Sequence, residues 1–210
     1  MPRHVSEYIS AIDHWVIAQA AQLAGAAPGR CLTVNLAAKT IAEPGLVAYV
    51  TEQLACSGAD PADLVSEFSE SDIIANLDHG RSACERLRAL GARIALDDFG
   101  SGFSGFSYLK ALEVDLLKID GQFVKELASN RVDRLVVEAI LHVANGMGLP
   151  TVAEYVTDEA VAEQLRELGA TYGQGFYLGK PAPLEPQRAH PAPGAWPPPA
   201  VTSSAAAARR

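Results

Sequence analysis

Six short apolar runs, each separated from the next by residues with helical periodicity, constrain this chain more than any other feature. They fall at Cys31–Leu36, Leu64–Phe68, Arg93–Asp97, Val114–Ile119, Thr151–Glu154 and Gly173–Leu178. Between the fourth and fifth, Leu135, Val136, Ala139, Ile140 and Val143 recur at helical spacing, closed by Gly146 and Gly148. Between the fifth and sixth, Val161, Leu165 and Leu168 do the same and end at Gly169. Strand and helix alternating with short connections predict a mostly parallel α/β sheet, since parallel neighbours need a crossover between them. That many units in sequence predict a barrel or a doubly wound sheet. With 210 residues, 49% of them hydrophobic, the chain suits one such unit better than two domains.

Polar residues gather where these runs end. Asn35 ends the first, Glu67 and Glu70 flank the end of the second, and Asp97 and Asp98 end the third. Lys118 and Asp120 end the fourth, Glu154 the fifth, and Gln174 lies in the sixth. In a parallel barrel these ends open on one face, where sites are built. Adjacent strand residues point to opposite faces, so Asp97 and Asp98 converge only if the backbone turns at the strand's end. Each residue also has an ordinary reading: Asp98 starts a turn, Glu70 starts a helix, Lys118 makes a surface pair and Asn35 an Asx turn. As a set, carboxylate and amide oxygens suit Mg²⁺ or Mn²⁺, and no histidine pair or cysteine cluster favours zinc.

The net charge of −8 argues against a nucleic-acid polymer as partner and leaves a phosphorylated small molecule, held through metal ions, as a candidate. No apolar stretch approaches the roughly 20 residues of a membrane span, and the amino terminus lacks a signal-peptide pattern, so a cytoplasmic location is expected. Cys31, Cys56 and Cys84 read as small core residues rather than as a disulfide frame. Eight of the 13 prolines fall in the last thirty residues, beside an Ala-Ser-Thr run. This predicts a folded domain over 1–182 and a disordered tail over 183–210, with Trp196 its one strong anchor candidate.

The ordered series Val-Asn-Leu at 34–36, Glu67-Phe-Ser-Glu70, Asp97-Asp98-Phe-Gly-Ser-Gly, Leu-Lys-Ile-Asp at 117–120, Val-Ala-Glu at 152–154 and Tyr-Gly-Gln-Gly at 172–175 resembles the EAL domain family. That family comprises bacterial phosphodiesterases that linearise cyclic di-GMP to pGpG on a TIM-like (β/α) barrel. The resemblance implies one metal ion on Asn35, Glu67 and Asp97, and a second on Asp97, Asp98 and Glu154. It gives Lys118 the task of orienting or deprotonating the attacking water, with Gln174 in support, and puts Asp120 and Tyr155 on the substrate side. Glu70 would anchor the loop that opens with Phe99, Gly100, Ser101 and Gly102 and couples the metal site to dimerisation, so a homodimer or a signalling partner is implied.

Two departures from the family pattern shape the expectation. The Glu-Ala-Leu motif that names the family belongs on a strand before the segment 7–20, and the sequence does not contain it. The barrel is therefore expected to be incomplete, lacking its first strand or strands, one metal ligand and the phosphate-contacting arginine that follows. Glu7 and Asp13 read as solvated helix charges rather than replacements. Three origins fit: a natural degenerate domain stabilised by a partner or by dimerisation, a fragment of a longer signalling protein, or a true start farther upstream. The second departure places Tyr155 and Thr157 where the family has Gly and Glu, with Thr157 expected to cap the following helix. Phosphodiesterase activity is accordingly expected to be lost or strongly impaired. The alternative is a non-catalytic module that binds cyclic di-GMP or a protein.

Overall fold

A computed structural model of the protein describes residues 3–102 and 106–183. Its elements run α1 (Arg3–Ala26), β1 (Leu32–Asn35), α2 (Ala38–Ile41), α3 (Leu46–Ser57), β2 (Leu64–Ser69), α4 (Glu70–Ala75), α5 (Leu77–Ala89) and β3 (Arg93–Phe99). They continue with β4 (Leu116–Ile119), α6 (Gly121–Val124), α7 (Arg131–Met147), β5 (Thr151–Ala153), α8 (Glu159–Glu167) and β6 (Tyr172–Gly173). The six strands form one sheet in the order β1-β2-β3-β4-β5-β6, every pair parallel. A doubly wound sheet reverses its strand order at a switch point; this sheet never does, and it curls as a half-barrel instead.

Local chemistry starts and stops the helices. Ser69 accepts from the Asp72 amide to cap α4, Asn76 caps α5 through the His79 amide, and Asn130 caps α7 through those of Val132 and Asp133. Asp158 caps α8 through the Val161 amide. Thr157 does not cap it, contrary to expectation; its hydroxyl donates instead to the Asp158 carboxylate at 2.9 Å.

The strands bury one face under the helices. Val34, Leu64, Phe68, Ile94, Leu96, Leu117, Ile119 and Ala153 join the core built with Ile17, Leu46, Ile73, Leu87, Ile140 and Leu165. By alternation the other face, concave in the half-barrel, carries Asn35, Glu67, Asp97, Lys118 and Glu154. The chain thus stations its polar strand-end residues on the side opposite the helix-packed core, with Glu67 and Lys118 buried and Asn35 exposed.

Several sequence expectations need correction. Cys31 and Cys56 are exposed, and only Cys84 is a core cysteine. Cys31 sits just before β1, where its thiol accepts from Arg93; Cys56 lies on the solvent side of α3. Asp13 is no solvated helix charge: its Oδ2 accepts from the Ala37 amide at 3.0 Å and the Thr40 hydroxyl at 2.6 Å, tying α1 to α2. Leu135 is 54% exposed, while Val137, Ile140, Leu141 and Ala144 form the buried stripe of α7. The fourth strand begins at Leu116, not Val114, and the sixth spans only Tyr172–Gly173, because the chain turns through Gly175 before Leu178. The proposed tail from 184 onward, Trp196 included, lies outside the described residues.

Candidate functional site

The site is built on a fault in the β3–β4 ladder. Leu96 pairs with Leu117 and Phe99 with Ile119, so two residues of β3, Asp97 and Asp98, stand opposite the single residue Lys118. This is a β-bulge, uncommon between parallel strands. Asp98 takes φ 54°, the left-handed region that Asp tolerates better than most side chains. The extra residue cancels the alternation, turning both carboxylates to the concave side and returning Phe99 to the core, where it is fully buried. Phe99 is therefore the buried last residue of β3 rather than part of the loop. Glu154, one residue past β5, completes the group: Asp97, Asp98 and Glu154 each present an oxygen, and these atoms lie within 4.8 Å of one another.

Lys118 projects into the same space from β4. Its ammonium lies 2.9 Å from Asp97 Oδ1, 2.7 Å from Glu154 Oε1 and 3.0 Å from Glu67 Oε2. Burial disfavours the ammonium, but the hydrogen bonds to Glu154 and Asp97 and the charges of Glu67 and Asp97 outweigh it, holding the lysine above its ordinary range. Burial pushes the Glu154 carboxyl up, against the pull of Lys118, and Asp97 and Asp98 add to that rise. The Asp98 carboxyl is also raised, first by burial and then by the charges of Asp97 and Asp120.

The remaining candidates occupy the rim. Asn35 ends β1 in register with Glu67 and is exposed. Gln174 follows β6 rather than lying in it; its amide donates to the Ala153 carbonyl and its carbonyl accepts from the Val156 amide. Asp120 caps α6, accepting from the Gln122 amide at 2.8 Å and the Gln122 side chain at 2.9 Å. Its carboxylate therefore has a structural task beside its electrostatic one on Asp98.

Glu70 is almost fully buried and binds backbone. It opens α4, and its carboxylate accepts from the Gly100 amide at 2.9 Å, the Gly102 amide at 3.3 Å and the Tyr108 hydroxyl at 2.5 Å. Burial and the bond to Glu70 together raise the Tyr108 phenol above its ordinary range. Gly100, at φ 99°, has the Ile140 side chain 2.8 Å from where a Cβ would stand, so only glycine fits that corner. Ser101 donates to the Asp98 carbonyl at 2.8 Å, linking the loop to the bulge. Tyr108 escaped the sequence reading; the ring spacing Phe99, Phe106, Tyr108 is its one signal, and the three rings do pack together.

Tyr155 follows Glu154 at φ 55°, with 66% of its surface exposed. Its side chain lies on Gly121: a Cβ there would meet Tyr155 Cδ2 at 2.3 Å and Cβ at 2.7 Å. Gly121→Ala is therefore expected to destabilise by about 1–3 kcal/mol in the native background and by less than about 1 kcal/mol when combined with Tyr155→Gly. Denaturant unfolding of the four proteins of this cycle measures the coupling; equal costs in both backgrounds would refute the contact.

The sequence profile of the EAL domain matches residues 4–181. The cyclic di-GMP phosphodiesterase PdeB of Shewanella oneidensis is 39% identical over 154 residues, covering 73% of this chain and 18% of PdeB. The structure of the PaMucR phosphodiesterase in complex with cyclic di-GMP superposes with a TM-score of 0.80 at 37% identity, covering 86% of this chain and 75% of that one. Klebsiella pneumoniae BlrP1, in a complex with manganese and cyclic di-GMP, gives a TM-score of 0.76 at 28% identity, with 81% and 44% covered. The chain spans less than a third of the length of the curated relatives it matches. No helix among the described residues is long and apolar enough to cross a membrane. With the half-barrel, the strand-end acids and a profile match over most of its length, the chain belongs to the EAL domain family.

Proposed function

We propose that the carboxylate cluster is a divalent-metal site for hydrolysis of cyclic di-GMP to linear pGpG, and that this 210-residue polypeptide by itself performs the reaction weakly or not at all. The observation that carries the first part is the convergence of Asp97, Asp98 and Glu154 within 4.8 Å, made possible by the bulge. Hard carboxylate oxygens at that separation, with Asp97 and Glu154 partly buried and Asp98 exposed, fit Mg²⁺ or Mn²⁺. Asp97, Asp98 and Glu154 would hold one ion, with Asn35, Glu67 and Asp97 a second. A bound divalent ion supplies a Lewis acid for phosphate oxygens and a more acidic water.

The chain's own residues have definable tasks around that chemistry. Lys118 stays protonated, and where its bonds to Asp97 and Glu154 are released its ammonium can face an anionic phosphodiester or orient a water toward it. Glu70, Ser101 and the bulge hold Asp97 and Asp98 in one arrangement, so the acids reach the substrate already oriented. The second part rests on Tyr155, whose ring stands next to Glu154 where the family has a glycine, and on the exposure of Asn35 and Thr33 on β1.

The test is conversion of cyclic di-GMP to pGpG by the purified polypeptide with Mn²⁺. The expected rate is about 10–100-fold or more below that of an intact EAL phosphodiesterase, with the residue abolished by Asp97→Ala. Full turnover lost in Asp97→Ala would refute the impairment and keep the site; turnover indifferent to Asp97→Ala would refute the site. The second reading, a module that binds cyclic di-GMP without cleaving it, draws support from the exposed Tyr155 ring beside Glu154. Calorimetric titration decides it, and no heat at high micromolar ligand would remove it.

A further inference from the structure

Two of the three carboxylates that converge at the bulge are already engaged. Lys118 Nζ bonds Asp97 Oδ1 at 2.9 Å and Glu154 Oε1 at 2.7 Å, and its third contact, Glu67 Oε2 at 3.0 Å, lies outside the convergent group. An ammonium has three donors, so this one is fully used. Mg²⁺ takes its oxygen ligands at about 2.0–2.1 Å, and with the ammonium kept on those same oxygens two cations would stand a few ångströms apart in a half-buried site. We infer that Lys118 is the site's internal counter-cation: it holds Asp97 and Glu154 together when no metal is bound, and the first divalent ion enters among Asp97, Asp98 and Glu154 by displacing it from both toward Glu67, which it neutralises for as long as the second position is empty. This rests on the metal-site reading above and concerns how the site is filled rather than which reaction follows.

The geometry supports exchange over simple addition. Lys118 comes from β4, between the strands that supply Asp97 and Glu154, while Glu67 sits one strand beyond β3. Glu67 is nearly fully buried and adjoins the same ammonium, so the displaced head keeps an anionic partner without crossing to solvent. Asp98 makes no ion pair with Lys118 in the described structure, which leaves it as the carboxylate open to an arriving ion.

The experiment measures Mn²⁺ uptake directly, from the free-ion electron paramagnetic resonance signal, in the full chain and in Lys118→Met and Lys118→Arg. Removing the competing charge is expected to tighten Mn²⁺ binding at least about tenfold in Lys118→Met, while Lys118→Arg, which keeps the charge, shows no gain. A lysine that merely scaffolds the carboxylates predicts the opposite sign, so equal or weaker binding in Lys118→Met overturns the inference. Absence of Mn²⁺ uptake by all three proteins overturns the metal-site reading and this inference with it. Should Lys118→Met fail to fold, the wild type carries the test: in ¹⁵N-lysine-labelled protein the Lys118 ammonium resonance is expected to shift on saturation with Mg²⁺. An unmoved resonance overturns the exchange.

Discussion

Lys118→Met, assayed in chelator at neutral pH, is expected to lose about 3–5 kcal/mol of folding stability, a fall in thermal midpoint of about 6–20 °C. The cause is the company left behind. Glu67, Asp97 and Glu154 lie on one ammonium with side chains 4–15% exposed, and without it they stand as crowded, poorly hydrated anions. Removing one member of a buried charge cluster costs far more than an exposed pair is worth. The sign of the pH dependence follows. Burial already holds the Glu154 and Asp98 carboxyls above their ordinary range, so the folded state keeps protons that the unfolded chain releases. These groups therefore cost stability progressively as pH rises from the ordinary carboxylate range through their raised values. Without Lys118, which pulls Glu154 down, that cost grows, and the variant's deficit is largest at neutral pH and shrinks toward about pH 5. A variant midpoint within about 2 °C of wild type at pH 7 would show that the cluster carries no such electrostatic load.

Glu70→Ala is expected to cost about 2–4 kcal/mol and to release the loop after β3. The substitution orphans the Gly100 and Gly102 amides and the Tyr108 hydroxyl, and Tyr108 has little access to water. Local opening should then precede global unfolding, with amide exchange at Gly100 and Gly102 about 100-fold faster or more than in the wild type. Glu70→Gln keeps a carbonyl acceptor and should recover part of both losses. Unchanged exchange at the two glycines in Glu70→Ala would mean that the loop is held by its packing alone, through Phe99 and Phe106.

Five of the six strands lie close to the apolar runs, because a buried parallel strand is a local pattern of β-branched and aliphatic residues bounded by polar ones. The sixth misled: Gly173–Leu178 has the composition of a strand, but Gly175 packs its backbone 2.3 Å, measured from where its Cβ would be, from Val156 and the chain turns. Glu70 does open a helix, as its ordinary reading allows, whereas the cap of α8 is Asp158 and not the expected Thr157. Cys31 and Asp13 differ from expectation because their surroundings come from residues distant in sequence, Arg93 for the first and Ala37 and Thr40 for the second, and Cys56 because α3 leaves it exposed.

The chain's own order of residues determined the parallel α/β plan, the strand-end gathering of Asn35, Glu67, Asp97, Asp98, Lys118 and Glu154, and the family to which they belong. Tertiary structure alone decided that Asp97 and Asp98 share a face, since a bulge exists only relative to its partner strand and Leu117 and Ile119 set the count. It also decided which acids Lys118 meets, because Glu67, Asp97 and Glu154 reach it from three different strand ends that only the sheet brings within hydrogen-bond distance. Periodicity is written between neighbours in the chain; charge compensation acts through space, over a few ångströms.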